Sequence, residues 1–247
     1  MAFALVFPGQ GSQSVGMMAA YGESAVIRDT FAEASEALGE DLWAMVCDGP
    51  AERLALTVNT QPLMLTAGVA AWRAWLAANH TRPEGIWFIT YRPASGKATF
   101  TYEQAVEEAL CFGWIDGQAK RLDKERTMLW FAPRRPGSIW ARSNKARVER
   151  LIADGRMPPT GQAKIDAAIA DGTWALWDSV DSLEVPPDLA AAFAAYPDAR
   201  ANYDAFPRSA RHAILGWIVT AKRPETRARH VAETARLTQA NVRINQR

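Results

Sequence analysis

The stretch from Glu103 to Ile152, EQAVEEALCFGWIDGQAKRLDKERTMLWFAPRRPGSIWARSNKARVERLI, most constrains the fold. It switches between helical and strand patterning and carries a dense set of aromatic and basic residues. Thr101 followed three residues later by Gln104 has capping-box spacing. It opens a helix bearing Ala105, Ala109, Leu110 and Phe112 that ends at Gly113. Trp114-Ile115-Asp116-Gly117 reads as a turn. Thr127–Ala132 reads as a strand closed by Pro133. Pro136-Gly137 predicts a second turn, and Ser143 or Asn144 caps a helix through Ile152. Helical and strand periods mixed in this way predict an α+β arrangement.

The rest of the chain extends that pattern. Phe3–Phe7 reads as a short buried strand. Gly9-Gln10-Gly11-Ser12-Gln13 is a glycine turn leading to helices over Ser24–Leu38 and Asp41–Cys47. Gly49-Pro50 breaks the pattern. A longer helix over about Gln61–Asn79 is expected to bring Leu65, Val69, Trp72, Trp75 and Leu76 to one face. Gly85–Tyr91 is a strand, Ser95-Gly96-Lys97 a turn and Thr99–Tyr102 an extended piece. Pro158-Pro159 marks a loop. Helices follow over Gly161–Asp171, Asp188–Ala195, Ser209–Ala221 and Pro224–Ala240.

Composition narrows the function classes. With 247 residues, 49% of them hydrophobic, the chain can bury one sizeable core or two small ones. The net charge of +1 hides an asymmetry. Before residue 80, eight acids face three arginines, a net of −5; from Lys120 to Arg156, eleven bases face four acids, a net of +7. Only the basic window therefore suggests an acidic partner. Cys47 and Cys111 suit a reducing compartment and have no metal-binding spacing. His80, His212 and His230 are scattered singly, so no metal and no cofactor is expected. Apolar runs are too short to span a membrane. MAFALVF lacks a basic n-region and is not read as a signal peptide. The expected location is the cytoplasm.

Two resemblances divide the chain near residue 75. FALVFPGQGSQSVGM (Phe3–Met17), TFAEASEALGEDLWAMVCDGPAERLALTVNTQP (Thr30–Pro62) and LMLTAGVAAWRAW (Leu63–Trp75) resemble the N-terminus of malonyl-CoA:acyl-carrier-protein transacylases. The resemblance implies that the backbone N–H of Gln10 supplied half of an oxyanion hole. It also implies a following GHSxGE elbow, whose serine attacks the thioester with help from a distant histidine, and an arginine that binds the malonyl carboxylate. No G-x-S-x-G occurs in the chain; Asn79-His80-Thr81-Arg82-Pro83 stands there instead, and Arg211 and His212 lie in another context. WLAANH (Trp75–His80), GIW (Gly85–Trp87), ASGK (Ala94–Lys97), YEQAVEEALCFGWIDG (Tyr102–Gly117), FAPRRPGSIWARSNKARVERLIADGRMPPTG (Phe131–Gly161) and AKRPETRARH (Ala221–His230) resemble the YdeI/OmdA family, the bacteriocin-protection proteins. That family more often has serine at Ala141. The fold expected is α+β: a small sheet with a mostly helical C-terminal half, preceded by a truncated α/β (βαα) transacylase fragment. The expected domains are 1–75 and 76–247.

Candidate sites follow from residue chemistry. Arg134 and Arg135 lie between Pro133 and Pro136-Gly137. With Trp140, Asn144, Trp114 and Asp116 they make a candidate anion site, since guanidinium groups and indole rings bind phosphates, carboxylates and bases. Cys111 sits at a helix C-terminus, where the dipole disfavours a thiolate, and reads as core. Lys222, Arg223, Arg227 and Arg229 read as a solvated face. The reading is a binding or protection protein linked to resistance to antimicrobial peptides or bacteriocins, with an anionic small molecule or polymer as partner. The first alternative is malonyl transfer in fatty acid biosynthesis, with malonyl-CoA and acyl-carrier protein as partners. The second is nucleic-acid or other anion binding through residues 120–156. Phe3–Phe7 is expected to be the least secure element, because its pairing strands belong to the missing part of the transacylase-like fold.

Overall fold

The computed structural model describes residues 3–97 and 100–243. They divide into two compact units, Met1–Arg135 with Arg147–Lys164, and Pro136–Ala146 with Ile165–Arg247. The fold is α+β, as expected from the alternating sequence patterns. The extended piece expected over Thr99–Tyr102 lies partly outside the described residues.

The first unit is built on a four-stranded sheet of β1 (Phe3–Val6), β2 (Ile86–Tyr91), β3 (Trp114–Arg121) and β4 (Arg126–Pro133), in the order β1-β2-β4-β3. β1 pairs parallel with β2, Leu5 opposite Phe88, while β2–β4 and β4–β3 are antiparallel. This corrects the expectation that the first strand lacks partners. β2 offers its edge, and the Phe7 N–H continues the ladder to the Ile89 carbonyl at 3.0 Å. Trp114–Gly117 is the start of β3 and not a turn. Asp116 stands opposite Phe131, and the register slips between Asp116 and Ala119. A bulge there accommodates the Gly117-Gln118 pair that breaks strand alternation.

Four helices follow β1: α1 (Ala25–Leu38), α2 (Leu42–Asp48), α3 (Ala51–Ala55) and α4 (Thr57–Asn79). Asp41 caps α2, accepting from the Ala44 N–H at 2.9 Å. Ile27, Phe31, Leu42, Met45, Val46, Leu54, Leu63 and Ala70 form one cluster. α4 begins four residues before the expected Gln61, which places Pro62 inside the helix. The proline ring displaces the carbonyl four residues back. That residue, Val58, is 77% exposed, so water can serve its carbonyl. α4 also buries more than one face. Leu63 and Ala70 join the α1–α3 cluster, whereas Trp72 packs on Phe88 and Phe131 at 5.1 and 5.4 Å. Leu65, Val69 and Trp75 are only half-buried. The one-sided stripe fails because α4 is wrapped by α1 on one side and by the sheet on the other.

α5 (Tyr102–Cys111) starts with the expected capping box, Thr101 Oγ1 accepting from the Gln104 N–H at 3.2 Å and Gln104 Oε1 from the Thr101 N–H at 3.0 Å. α6 (Arg142–Ala153) and α7 (Pro159–Ala170) contribute their residues up to Ala146 and from Ile165 to the second unit. Asn144 therefore lies within the first turn of α6 and not at its cap. The second unit adds α8 (Asp178–Asp181), α9 (Pro187–Phe193), α10 (Ala199–Ala205), α11 (Arg208–Val219) and α12 (Pro224–Gln239). Its core gathers Val180, Leu189, Phe193, Tyr203, Ile214, Leu215, Ile218 and Val231. Gly216 is required there, since a Cβ would meet the Trp177 ring at 2.7 Å.

Candidate functional site

The register of β2, β4 and β3 sends Ile86, Phe88, Leu129 and Phe131 toward α4 and α5. Near the start of α5 this inner face is not filled. A cavity of about 680 Å³ remains, walled by Phe88, Leu129, Ala119, Phe100 and Ala105. Its polar corner is Tyr102 with Asp116: the Tyr102 hydroxyl donates to Asp116 Oδ2 at 2.8 Å. Burial, then this bond to a carboxylate, pushes the Tyr102 phenol up to about 12. The phenol thus stays protonated, and the pair offers an oriented carboxylate at the edge of an apolar chamber. An apolar cavity with a few convergent polar groups is the ordinary form of a small-ligand site.

Two arginines of the same unit bear on this corner. Arg134 is buried, and its N–H donates to the Gly113 carbonyl at 2.9 Å. Burial pushes its guanidinium down to about 10, and the Asp116 charge opposes that shift. The Arg147 guanidinium lies 5.7 Å from the centre of the Tyr102 ring and pairs with Glu103 at 2.7 Å. Arg135 is exposed, so the two adjacent arginines occupy different environments and are not a paired fork.

The other sequence-derived candidates are placed as follows. Trp114 is fully buried, its indole N–H donating to the His80 carbonyl at 3.0 Å. Trp140 and Asn144 belong to the second unit; Trp140 is buried and packs on Trp174 with ring centres 5.0 Å apart. Gln10 is half-buried in a loop whose Gly11 N–H donates to Gln13 Oε1 at 2.9 Å and whose Ser12 N–H reaches the Gly9 carbonyl at 3.3 Å. Gly9 is needed for close approach, because a Cβ would lie 2.4 Å from the Lys97 carbonyl oxygen. Cys111 is buried and its thiol is pushed up to about 12, chiefly by burial. His212 bonds Asp181 at 2.9 Å. Lys222, Arg223 and Arg229 are exposed, while Arg227 forks onto Asp188 at 2.7 and 3.1 Å.

The basic window is not one patch. Arg147 and Arg150 pair with Glu103, Arg150 and Arg156 with Glu107, and Arg156 with Glu108, while Lys145 pairs with Asp178. The acids of α5 were legible as Glu103, Glu107 and Glu108 on helical spacing, but nothing local in sequence connects them to residues 147–156. The cavity itself was also missed. Its walls come from four separate stretches, and each alone reads as ordinary core.

Comparison with known proteins now gives both parts of the chain a context. Residues 182–241 match the family described as "Bacteriocin-protection, YdeI or OmpD-Associated". Residues 64–164 match a separate family, "Domain of unknown function (DUF8412)". The N-terminal part is similar to malonyl CoA-acyl carrier protein transacylases: 61% identical over 74 residues to that of Salmonella typhimurium, and 60% over 74 residues to that of Escherichia coli K12. Those 74 residues are 30% of this chain and 24% of each relative, so the chain spans about a quarter of their length. Among solved structures, an acyl carrier protein S-malonyltransferase from Vibrio cholerae is 28% identical, with 61% of this chain and 58% of that chain covered and a TM-score of 0.29. The sequence is thus two-part: a transacylase-like start and a YdeI/OmdA-family region at 182–241. Among the described residues no helix is long and apolar enough to cross a membrane.

Proposed function

We propose that this chain is a YdeI/OmdA-like binding or protection protein, linked to resistance to antimicrobial peptides or bacteriocins, that works in the cytoplasm by binding and not by turnover. In descent it consists of residues 1–75, a transacylase-like segment without its nucleophile elbow, and residues 76–247. The observation that carries the reading is the cavity beside Tyr102 and Asp116, an unfilled apolar chamber with one oriented polar corner. Arg134, buried at the β4 end beside the Gly113 carbonyl that its N–H contacts at 2.9 Å, is the cation proposed to meet an anionic headgroup. Arg135 and Trp114 neighbour Arg134 and Asp116 in sequence; Gln10 is a relic of the oxyanion hole.

Anilinonaphthalene sulfonate, apolar with one anionic group, tests this reading. Its fluorescence should rise and saturate at one probe per chain. Ala119→Trp, at an exposed strand position lining the chamber, should abolish the signal without unfolding the protein. Arg134→Ala should weaken binding, and Arg134→Lys should restore part of it, since lysine keeps the charge but not the fork. Unchanged binding in Ala119→Trp would place the probe elsewhere and sink the proposal. The second reading is malonyl transfer to acyl-carrier protein, favoured by the 61% identity over the first segment and opposed by the missing elbow serine.

A further inference from the structure

The opposite face of the same sheet is unlike the inner one. Strand alternation puts Trp87, Ile89, Met128 and Trp130 there, with Val6 at its edge. Val6 is 56% exposed and the other four are half-buried, whereas Phe88 and Phe131 on the inner face are buried. Trp87 and Trp130 stand directly opposite in the ladder, ring centres 5.1 Å apart and planes at 67°. Trp130 lies against glycine on neighbouring strand positions. A Cβ on Gly85 would come within 2.4 Å of its ring, and one on Gly117 within 3.5 Å. The indole therefore lies over the Gly85 backbone and beside Trp87, with Gly117 leaving its other side free of a Cβ.

Charge at one end of this face is predominantly positive. Lys120 is exposed and its Nζ sits 5.2 Å from the centre of the Trp87 ring. The sheet end nearby carries Arg92, Lys97, Lys120, Arg121, Lys124 and Arg126 against only Asp123 and Glu125, a net of +4. Two of these cations, Lys97 and Arg126, are taken up by Glu125 and Asp123. Cations beside aromatic rings on a sheet are the arrangement that binds a phosphate backbone while unpaired bases stack.

We infer that the outer face of the sheet, with Trp87 and Trp130 as stacking rings and Lys120 and Lys124 as phosphate contacts, binds single-stranded nucleic acid. This surface is distinct from the cavity. It is also distinct from the α6 end of the basic window, whose arginines are held by the acids of α5. The ligand is an unpaired strand because the rings need base faces, which a duplex keeps stacked. The charge supplies affinity without sequence preference.

Titration of the full chain with oligothymidylate, followed by tryptophan fluorescence, tests the inference. Quenching should saturate, and the affinity should fall steeply as salt rises. Lys120→Glu with Lys124→Glu, at exposed positions that leave the core alone, should weaken binding at least about tenfold, by removing two of the few contacts that set the salt slope. Trp87→Leu should reduce quenching and affinity while the pH and urea stability of the protein stay close to wild type. Several results would overturn the inference: no salt-sensitive binding, equal affinity for duplex DNA, or inorganic polyphosphate binding as tightly as the oligonucleotide. Self-association that the Trp87 change abolishes would instead assign the face to a second copy of this chain, and would also refute it.

Discussion

Arg73 lies in the transacylase-like segment, and Glu108 lies beyond it on α5. Arg73 Nε and Nη2 donate to the two oxygens of Glu108, both at 2.8 Å, and Nη1 reaches Thr30 Oγ1 and Glu33 Oε2 of α1 at 3.0 and 3.2 Å. Burial alone would lower the Arg73 pKa, but the Glu108 bonds and charge, then Glu33, raise it. The Glu108 side chain is only 3% exposed, and its remaining cation is Arg156 at 3.1 Å. Arg73→Met keeps the volume and removes the fork. Breaking one side of a buried pair costs about 3–5 kcal/mol, because the other charge stays buried. Arg156 remains to serve one oxygen, so the expected loss is near the bottom of that range, about 3 kcal/mol. Glu108→Met in the same background should recover most of it, since an apolar pair of similar volume is often neutral. Urea denaturation gives the total change, and hydrogen exchange of α4 and α5 amides reads the first unit by itself. A single-variant loss under about 1 kcal/mol, the value of an exposed pair, would refute the reasoning. So would a double variant as damaged as the sum of the singles.

Two further outcomes follow from the same structure. The Arg147 hydrogen bond holds the Glu103 carboxyl below the usual glutamate range, so its contribution is present above about pH 4.3 and is lost as pH falls through the lower folded value. Glu103→Gln should therefore be less stable at neutral pH and converge with wild type on acidification; parallel stability curves would contradict the assignment. In the second unit, the Tyr203 hydroxyl is buried with no hydrogen-bond partner among the described residues, and burial pushes it up to about 12. Tyr203→Phe should leave stability unchanged or raise it by about 1 kcal/mol in thermal melts, whereas a loss of 2 kcal/mol or more, the scale of a broken buried bond, would show that the hydroxyl is bonded.

Much of the fold was legible because local signals agreed. Thr101 and Gln104 announced α5, helical patterning over Asp41–Cys47 announced α2, Gly85–Tyr91 alternated at the strand period and Thr127–Ala132 read as a strand closed by Pro133. The failures share a cause: they depend on partners distant in sequence. Phe3–Val6 looks orphaned until β2, some eighty residues on, offers its edge. Trp114–Gly117 carries turn residues, yet β4 recruits it and absorbs the misfit in a bulge. The end of the transacylase resemblance at Trp75 leaves no mark on the backbone, because α4 runs on to Asn79 and Trp72 and Trp75 pack on Phe88, Phe131 and Trp114. Of the candidate site residues, Asp116 lines the cavity, and its charge acts on the buried Arg134. Tyr102 was overlooked because a helix-starting tyrosine carries no chemical signature until its hydroxyl is seen on Asp116.

The proposed function takes the transacylase-like start as structurally absorbed but chemically incomplete. Incubation of the purified chain with malonyl-CoA and holo acyl-carrier protein, followed by intact-protein mass spectrometry, tests it most directly. The account predicts no malonyl adduct on the chain and no malonyl-carrier above the level formed without it. Time-dependent malonyl-carrier formation that scales with the amount of chain would contradict the account.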